Sequence, residues 1–370
     1  MKIRFRHIIL FVLLSFVVAA RLSEQIGEWY STVLYPLTSS ALSWLVSWIP
    51  FSLEELVVVA AVILLIYLIV SGLVKHEGFR IIFFRSFEVL LWVYVWFYIG
   101  WGCNYYRESI YLRRDVERQE YDEIVFKEFL SDYAENLNNA FEVLPDDSLM
   151  IGQSELETVV KSGFRAVPES SGLASPRNWQ HPKILLFNGL YSSVGVLGFV
   201  GPFFCETQLN ADLLPAQLPF VYAHEYSHLL GVSSEDEANF WGYVICTGSD
   251  VPVVRYSGYY SILPYVFVNA SRVLSDEEYR SFVSSVNPEI ITQYNAQREY
   301  WNGKYSKILG KIQSVVYNAF LKGNKISSGT ASYLEVIDMI ISFKDMSDFF
   351  EAEFAELTCC EVFNHEITDV

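Results

Sequence analysis

The chain has 370 residues, room for more than one domain, of which 52% are hydrophobic and only 19% charged, an apolar excess over ordinary soluble proteins. The formal net charge of −17 argues against nucleic acid as a partner, because phosphate binding needs clustered Lys and Arg; it fits a solvated domain that stays off anionic lipid. The five cysteines, Cys103, Cys205, Cys246, Cys359 and Cys360, include no Cys-x-x-Cys pair, which excludes a thiolate zinc cluster and a disulfide framework but leaves one bridge open.

The apolar excess lies near the N-terminus. Lys2, Arg4 and Arg6 precede an almost wholly apolar run, which predicts a first span over about 5–20. Val18-Ala19-Ala20 also resembles a signal-peptide cleavage site, but the spans that follow favour an uncleaved anchor. Residues 29–50, with Trp29, Tyr30, Trp44 and Trp48, read as an interfacial segment with a helix near Ala41 to Ile49. Ser52-Leu53-Glu54-Glu55 has the form of a capping box opening a second span over 53–74. A basic turn, Lys75 to Arg80, leads to a third span over 81–101, in which Arg85 and Glu88 share a helical face and are expected to pair or to snorkel at the turn. Positive charge at the N-terminus and in this turn predicts that both face the cytoplasm. Three crossings then place everything after Trp101 outside a cytoplasmic (inner) membrane, with the lipid bilayer as one partner.

The division expected is a membrane anchor over 1–102, a second domain over 103–344 and an acidic tail over 345–370. In the second part hydrophobicity becomes periodic. Tyr121 to Leu144 and Ser154 to Phe164 predict amphipathic helices. Lys183 to Phe187 and Val194 to Val200 read as strands. The segment from Gly201 to Asn210 is expected to continue as an edge strand after Pro202, where an extended peptide adds to the sheet. Further helices are expected over Ala238 to Cys246, from Arg255 towards Leu274, over Ser275 to Val286, over Pro288 to Leu321 and over Ala331 to Phe343. The fold class is therefore α+β, mainly helical, with a small sheet.

The chemistry concentrates in Ala223-His224-Glu225-Tyr226-Ser227-His228-Leu229-Leu230-Gly231. Two imidazoles one helical turn apart, with a carboxylate beside the first, are the minimum for a zinc-bound water and its general base. The plainer reading is a pair of core histidines, but Glu225 and an acidic segment close by favour metal. Gly231 lets the chain turn back. Ser234-x-x-Glu237 fits a capping box, which assigns Glu237 to the cap and frees Glu235 as third ligand, with Glu237 the alternative. Asn239, one turn beyond Glu235, is placed to hydrogen-bond a ligand histidine. A Tyr or Arg of Arg255-Tyr256-Ser257-Gly258-Tyr259-Tyr260 is a candidate for stabilising an oxyanion, though aromatic packing explains these residues as well.

Together with Pro202-Phe203-x-x-Glu206-x-x-x-Asn210, these pieces resemble a bacterial membrane-protein family catalogued as domain of unknown function number 3810, whose members look like gluzincin-type metallopeptidases. The resemblance implies a zincin-like fold with Zn2+ on His224, His228 and a Glu of the Glu-x-Glu-Ala-Asn segment. The gluzincin spacing, a ligand three residues before the Ala, maps to Glu235. The expected function is a membrane-anchored zinc metallopeptidase acting on a peptide or protein substrate, with Glu225 as general base. The alternative is a non-catalytic scaffold or sensor that keeps a structural zinc.

Overall fold

The computed structural model describes residues 4–119, 123–145, 149–326 and 335–344. The expected acidic tail, with Cys359, Cys360 and His365, lies outside them, as do the first residues of the helix expected from Ala331. The chain is mainly helical with one three-stranded sheet.

Among the described residues, three helices are long and apolar enough to cross a membrane: α1 (Phe5–Leu22), then, beyond two short helices, α4 (Leu53–Val74) and α5 (Phe79–Gly100). Their Leu, Ile, Val and Phe side chains are largely exposed, the pattern of lipid-facing helices. Arg85 and Glu88 do not pair with each other. Arg6 reaches Glu88 at 2.8 Å and Glu77 reaches Arg85 at 2.7 Å, so both charges are matched at one end of the bundle by residues from other segments.

Between α1 and α4 the chain is helical rather than looped. The helices α2 (Glu24–Trp29) and α3 (Tyr35–Leu45) are joined through one widened turn over Tyr30–Leu34. Trp29, Trp44 and Trp48 are exposed, but Tyr30 is fully buried, contrary to its expected interfacial place. Its hydroxyl donates to the Ile99 carbonyl at 2.9 Å, and that of Tyr35 to the Leu229 carbonyl at 2.7 Å.

After α5 come α6 (Ile110–Arg114), α7 (Glu123–Glu142) and α8 (Gln153–Ala166). The sheet follows: β1 (Lys183–Ile184), a helical turn α9 (Asn188–Ser193), β2 (Gly198–Gly201) and β3 (Glu206–Leu209). Its order is β1-β3-β2, with β1 parallel and β2 antiparallel to β3. The expected edge strand after Pro202 is thus the central one, and β2 is the edge. The physical reason lies at the start of α4. Glu206 on β3 accepts the Leu53 and Glu54 amides at 3.0 and 3.3 Å, and the Gln208 amide donates to Ser52 Oγ at 3.2 Å. These polar side chains are buried because they satisfy the free amides of a helix N-terminus. The capping box expected there is half formed: Ser52 Oγ accepts the Glu55 amide, while the Glu55 carboxylate takes the Leu186 and Phe187 amides at 2.6 and 2.9 Å instead of returning to the cap.

The core is built on α10 (Leu218–Leu229), α11 (Glu235–Thr247) and α12 (Pro252–Val273), packed with α7 and α8 around buried aromatics such as Tyr226, Phe240, Trp241 and Tyr256. Then come α13 (Asp276–Ser285), α14 (Pro288–Lys304), α15 (Lys307–Gly323) and α16 (Val336–Ser342). The single helix expected from Pro288 to Leu321 is two, because Ser306 turns out of α14, caps α15 at the Leu309 amide and gives its own amide to the Ser193 carbonyl. Cys103, Cys205 and Cys246 are buried free thiols.

Candidate metal centre

The site is built on α10, whose second residue is Pro219, a ring suited to a first helical turn. From Pro219 to Leu229 the helix is buried, so its polar side chains need partners. His224 and His228, four apart, project from one face with ring centroids 4.9 Å apart. The helix ends at Gly231, whose φ of +101° suits glycine, and where a Cβ would come 3.3 Å from the Tyr35 ring. This turn swings the start of α11 back against α10.

Glu235 is the residue that the turn delivers. Its Oε2 lies 3.3 Å from His224 Nε2 and 3.5 Å from His228 Nε2. Its Oε1 accepts a hydrogen bond from the Tyr317 hydroxyl of α15. Glu237 does not fold back on the cap: Ser234 has no capping hydrogen bond, and the Glu237 carboxylate is held by Arg113 at 2.5 Å and the Trp241 indole at 3.2 Å. The capping box expected at Ser234 and Glu237 is not formed, and Glu235 is the carboxylate beside both imidazoles. Asn239 is buried nearby, yet it bonds neither ring, and the Nδ1 of His224 has no partner among the described residues.

The geometry suits a cation. His228 Nδ1 meets the Val232 carbonyl at 2.8 Å. A carbonyl only accepts, so in the neutral ring Nε2 presents its lone pair to the Glu235 oxygen, and two such atoms need a proton or a cation between them. Two ligands held at about 2.0–2.1 Å by a tetrahedral zinc stand roughly 3.3–3.4 Å apart, close to the spacing found. The charge balance favours a positive charge there, whether proton or cation. Burial pushes an imidazole down, but the Glu235 carboxylate outweighs it and raises His228 to about 9. Burial pushes a carboxylate up, yet the two imidazoles hold Glu235 well below the usual range. Ligand atoms of His224, Glu225 and His228 also lie within 4.8 Å of one another.

Glu225 faces a cavity of about 890 Å³ whose wall also includes His224, His228 and Glu235. Burial raises it to about 7 against the pull of the two imidazoles. It packs on β2, where a Cβ added to Gly198 would lie 2.7 Å from Glu225 Cγ. The rest of the wall is mostly apolar and aromatic, from Phe97 of α5 and Trp101 just beyond it through Tyr191 and Phe199 to Tyr265, Tyr317 and Phe320. Trp101 also donates its indole N–H to the His228 carbonyl at 2.8 Å. None of these was foreseen as part of the site, because each arrives from a distant element with no local pattern to mark it. Arg255 and Tyr256, foreseen as oxyanion candidates, do not line this cavity: Arg255 pairs with Asp250 at 3.3 Å, and Tyr256 is a core residue bonded to Gln293 at 2.6 Å.

Over the described residues, fold and site together define a mainly helical chain with three helices of membrane-spanning length and a buried His–Glu cluster on a cavity wall. The family described as "Protein of unknown function (DUF3810)" matches residues 30–341, and the chain belongs to it. No curated protein and no solved structure matches the chain.

Proposed function

We propose that the chain is a membrane-anchored zinc metallopeptidase with a zincin-like catalytic domain on the extracytoplasmic side. The observation that carries this reading is the placing of Glu235 Oε2 at 3.3 and 3.5 Å from two imidazole nitrogens, beside a fourth side chain, Glu225, on the cavity wall. His224, His228 and Glu235 would hold zinc, leaving a position for water. Zinc supplies Lewis acidity, which makes a water acidic near neutral pH and polarises a carbonyl oxygen. Glu225 takes the proton from the attacking water as its oxygen bonds to the peptide carbon, then gives a proton to the leaving amine nitrogen as the C–N bond breaks. Tyr317 fixes Glu235 through its free oxygen. The β2 edge beside Glu225 is where an extended substrate would add as a strand, and the aromatic wall favours apolar side chains next to the cleaved bond.

The test separates metal from turnover. Purified full-length protein is expected to hold about one zinc per chain, and Glu225→Gln is expected to keep it. Comparing new N-termini in the cell-envelope proteome with wild-type and Glu225→Gln protein then reveals the substrates. Fragments produced equally by both would end the peptidase reading; a chain without zinc would end both that reading and a structural-zinc role.

A further inference from the structure

One face of α15 has no described residue packed against it. Ile308, Ile312, Val315 and Val316 recur at helical spacing and are 75%, 58%, 64% and 63% exposed, a stripe that in water is an unfavourable surface. The opposite face carries Gln313, Tyr317 and Phe320 into the cavity wall. A second apolar group, Leu186, Phe187 and Leu190, is 45%, 47% and 55% exposed. The two are linked, since the start of α15 bonds to the end of α9 through Ser306 and Ser193 at 2.8 Å.

Both groups adjoin the ends of the apolar spans. Phe320 packs on Phe97, near the end of α5, with ring centroids 5.8 Å apart, and Tyr98 of α5 donates to Asn324 Oδ1 at 2.6 Å. The Leu186 and Phe187 amides are held by Glu55 in the first turn of α4. Charge points the same way. In a chain of net charge −17, α15 contains Lys307, Lys311 and Lys322 and no Asp or Glu, and all three lysines are exposed. An apolar stripe, basic flanks and continuity with spanning helices are the features of a helix lying in a membrane interface, where lysine stems reach up to anionic headgroups.

We infer that the bilayer covers these surfaces: α15 and the 186–190 segment sit in the headgroup layer of the membrane that α4 and α5 cross. This contradicts, for this helix, the expectation from net charge that the domain stays off anionic lipid. The seating does not depend on the peptidase reading. If that reading holds, the seating puts the cavity wall at headgroup level, where membrane-borne peptides are presented.

The experiment reads position without turnover. Full-length protein, with Cys359 and Cys360 changed to Ser, is spin-labelled at Ile312→Cys or Val316→Cys and placed in nanodiscs of phosphatidylethanolamine and phosphatidylglycerol. Collision rates with oxygen and with a water-soluble nickel chelate are compared with those of a label at Glu277→Cys on α13. The expected result is nickel access about threefold or more lower, and oxygen access higher, at both α15 sites than at Glu277. Nickel access equal to that at Glu277 overturns the proposal. So does dipolar broadening between labels on two chains, which would make this face a contact between copies. A label at Phe187→Cys reads the second group and carries the same test should either α15 variant fail to fold.

Discussion

A general base must be ionised to accept a proton, and Glu225 sits where burial resists ionisation. Its pKa, raised to about 7, suits a base working near neutrality. The sign is fixed: below that value Glu225 would be protonated, and turnover is expected to fall as pH falls. A bound zinc would favour the carboxylate form, so the acid limb of kcat/KM is expected at or below about 7. A rate that climbs steadily on acidification through this range would remove Glu225 from the role. Position matters as much as charge. A Cβ at residue 198 would meet Glu225 Cγ at 2.7 Å and the Gln208 carbonyl oxygen at 2.9 Å. The backbone cannot yield as easily as the side chain, so Gly198→Val is expected to displace the base. Turnover should drop on the order of 100-fold while the zinc content stays unchanged, because the three proposed ligands are untouched. Loss of zinc along with turnover would mean that the strand supports the metal rather than the base.

The element that decides the site is the start of α11, held from outside by two buried arginines. Arg107 donates to the Gly231 carbonyl at 3.1 Å and pairs with Glu28 of α2 at 3.2 Å. Arg113 pairs with Glu237 at 2.5 Å. Arg113→Met would leave the Glu237 charge buried without its partner, a loss of about 3–5 kcal/mol in unfolding free energy. Arg113→Met/Glu237→Gln should recover much of it. Thermal or denaturant unfolding of the two variants measures the difference, and equal destabilisation would show that the pair is not the relevant contact. The same contact shows what could be read from the chain alone. The two histidines, the glycine turn and Glu235 lie within twelve residues, and helical periodicity relates them directly. Arg113 lies 124 residues from Glu237 and Tyr317 lies 82 from Glu235; no local rule connects such pairs. Hence Glu237 was assigned to a cap when its partner was a distant guanidinium. Likewise the segment after Pro202 was expected at the sheet edge because proline is tolerated there; that Glu206 and Gln208 meet the start of α4, more than 130 residues earlier, follows from no local rule.

Across the whole molecule, the N-terminal hundred residues and the site share hydrogen bonds. Tyr35 holds the Leu229 carbonyl and Trp101 holds that of His228, both at the end of the histidine helix. Pro50 and Ser52 pair with both backbone groups of Ile184, extending the sheet beyond β1, and Glu55 holds the two residues that follow Leu185. A protein beginning at residue 103 would lose all of these partners at once. It would expose the Leu229 and His228 carbonyls and leave Glu206 without the helix amides it accepts. Each unmatched buried group costs about 1–3 kcal/mol, and a typical domain has only about 5–15 kcal/mol in total. The truncated protein is therefore expected to show no cooperative unfolding transition and to retain well under half an equivalent of zinc, whereas the full chain in detergent shows both. A cooperative transition with stoichiometric zinc in the truncated protein would prove the opposite, that the spans only tether the site. On the expected outcome they shape it: the membrane bundle supplies the backing against which α10 ends, Gly231 turns and Glu235 returns to the two histidines.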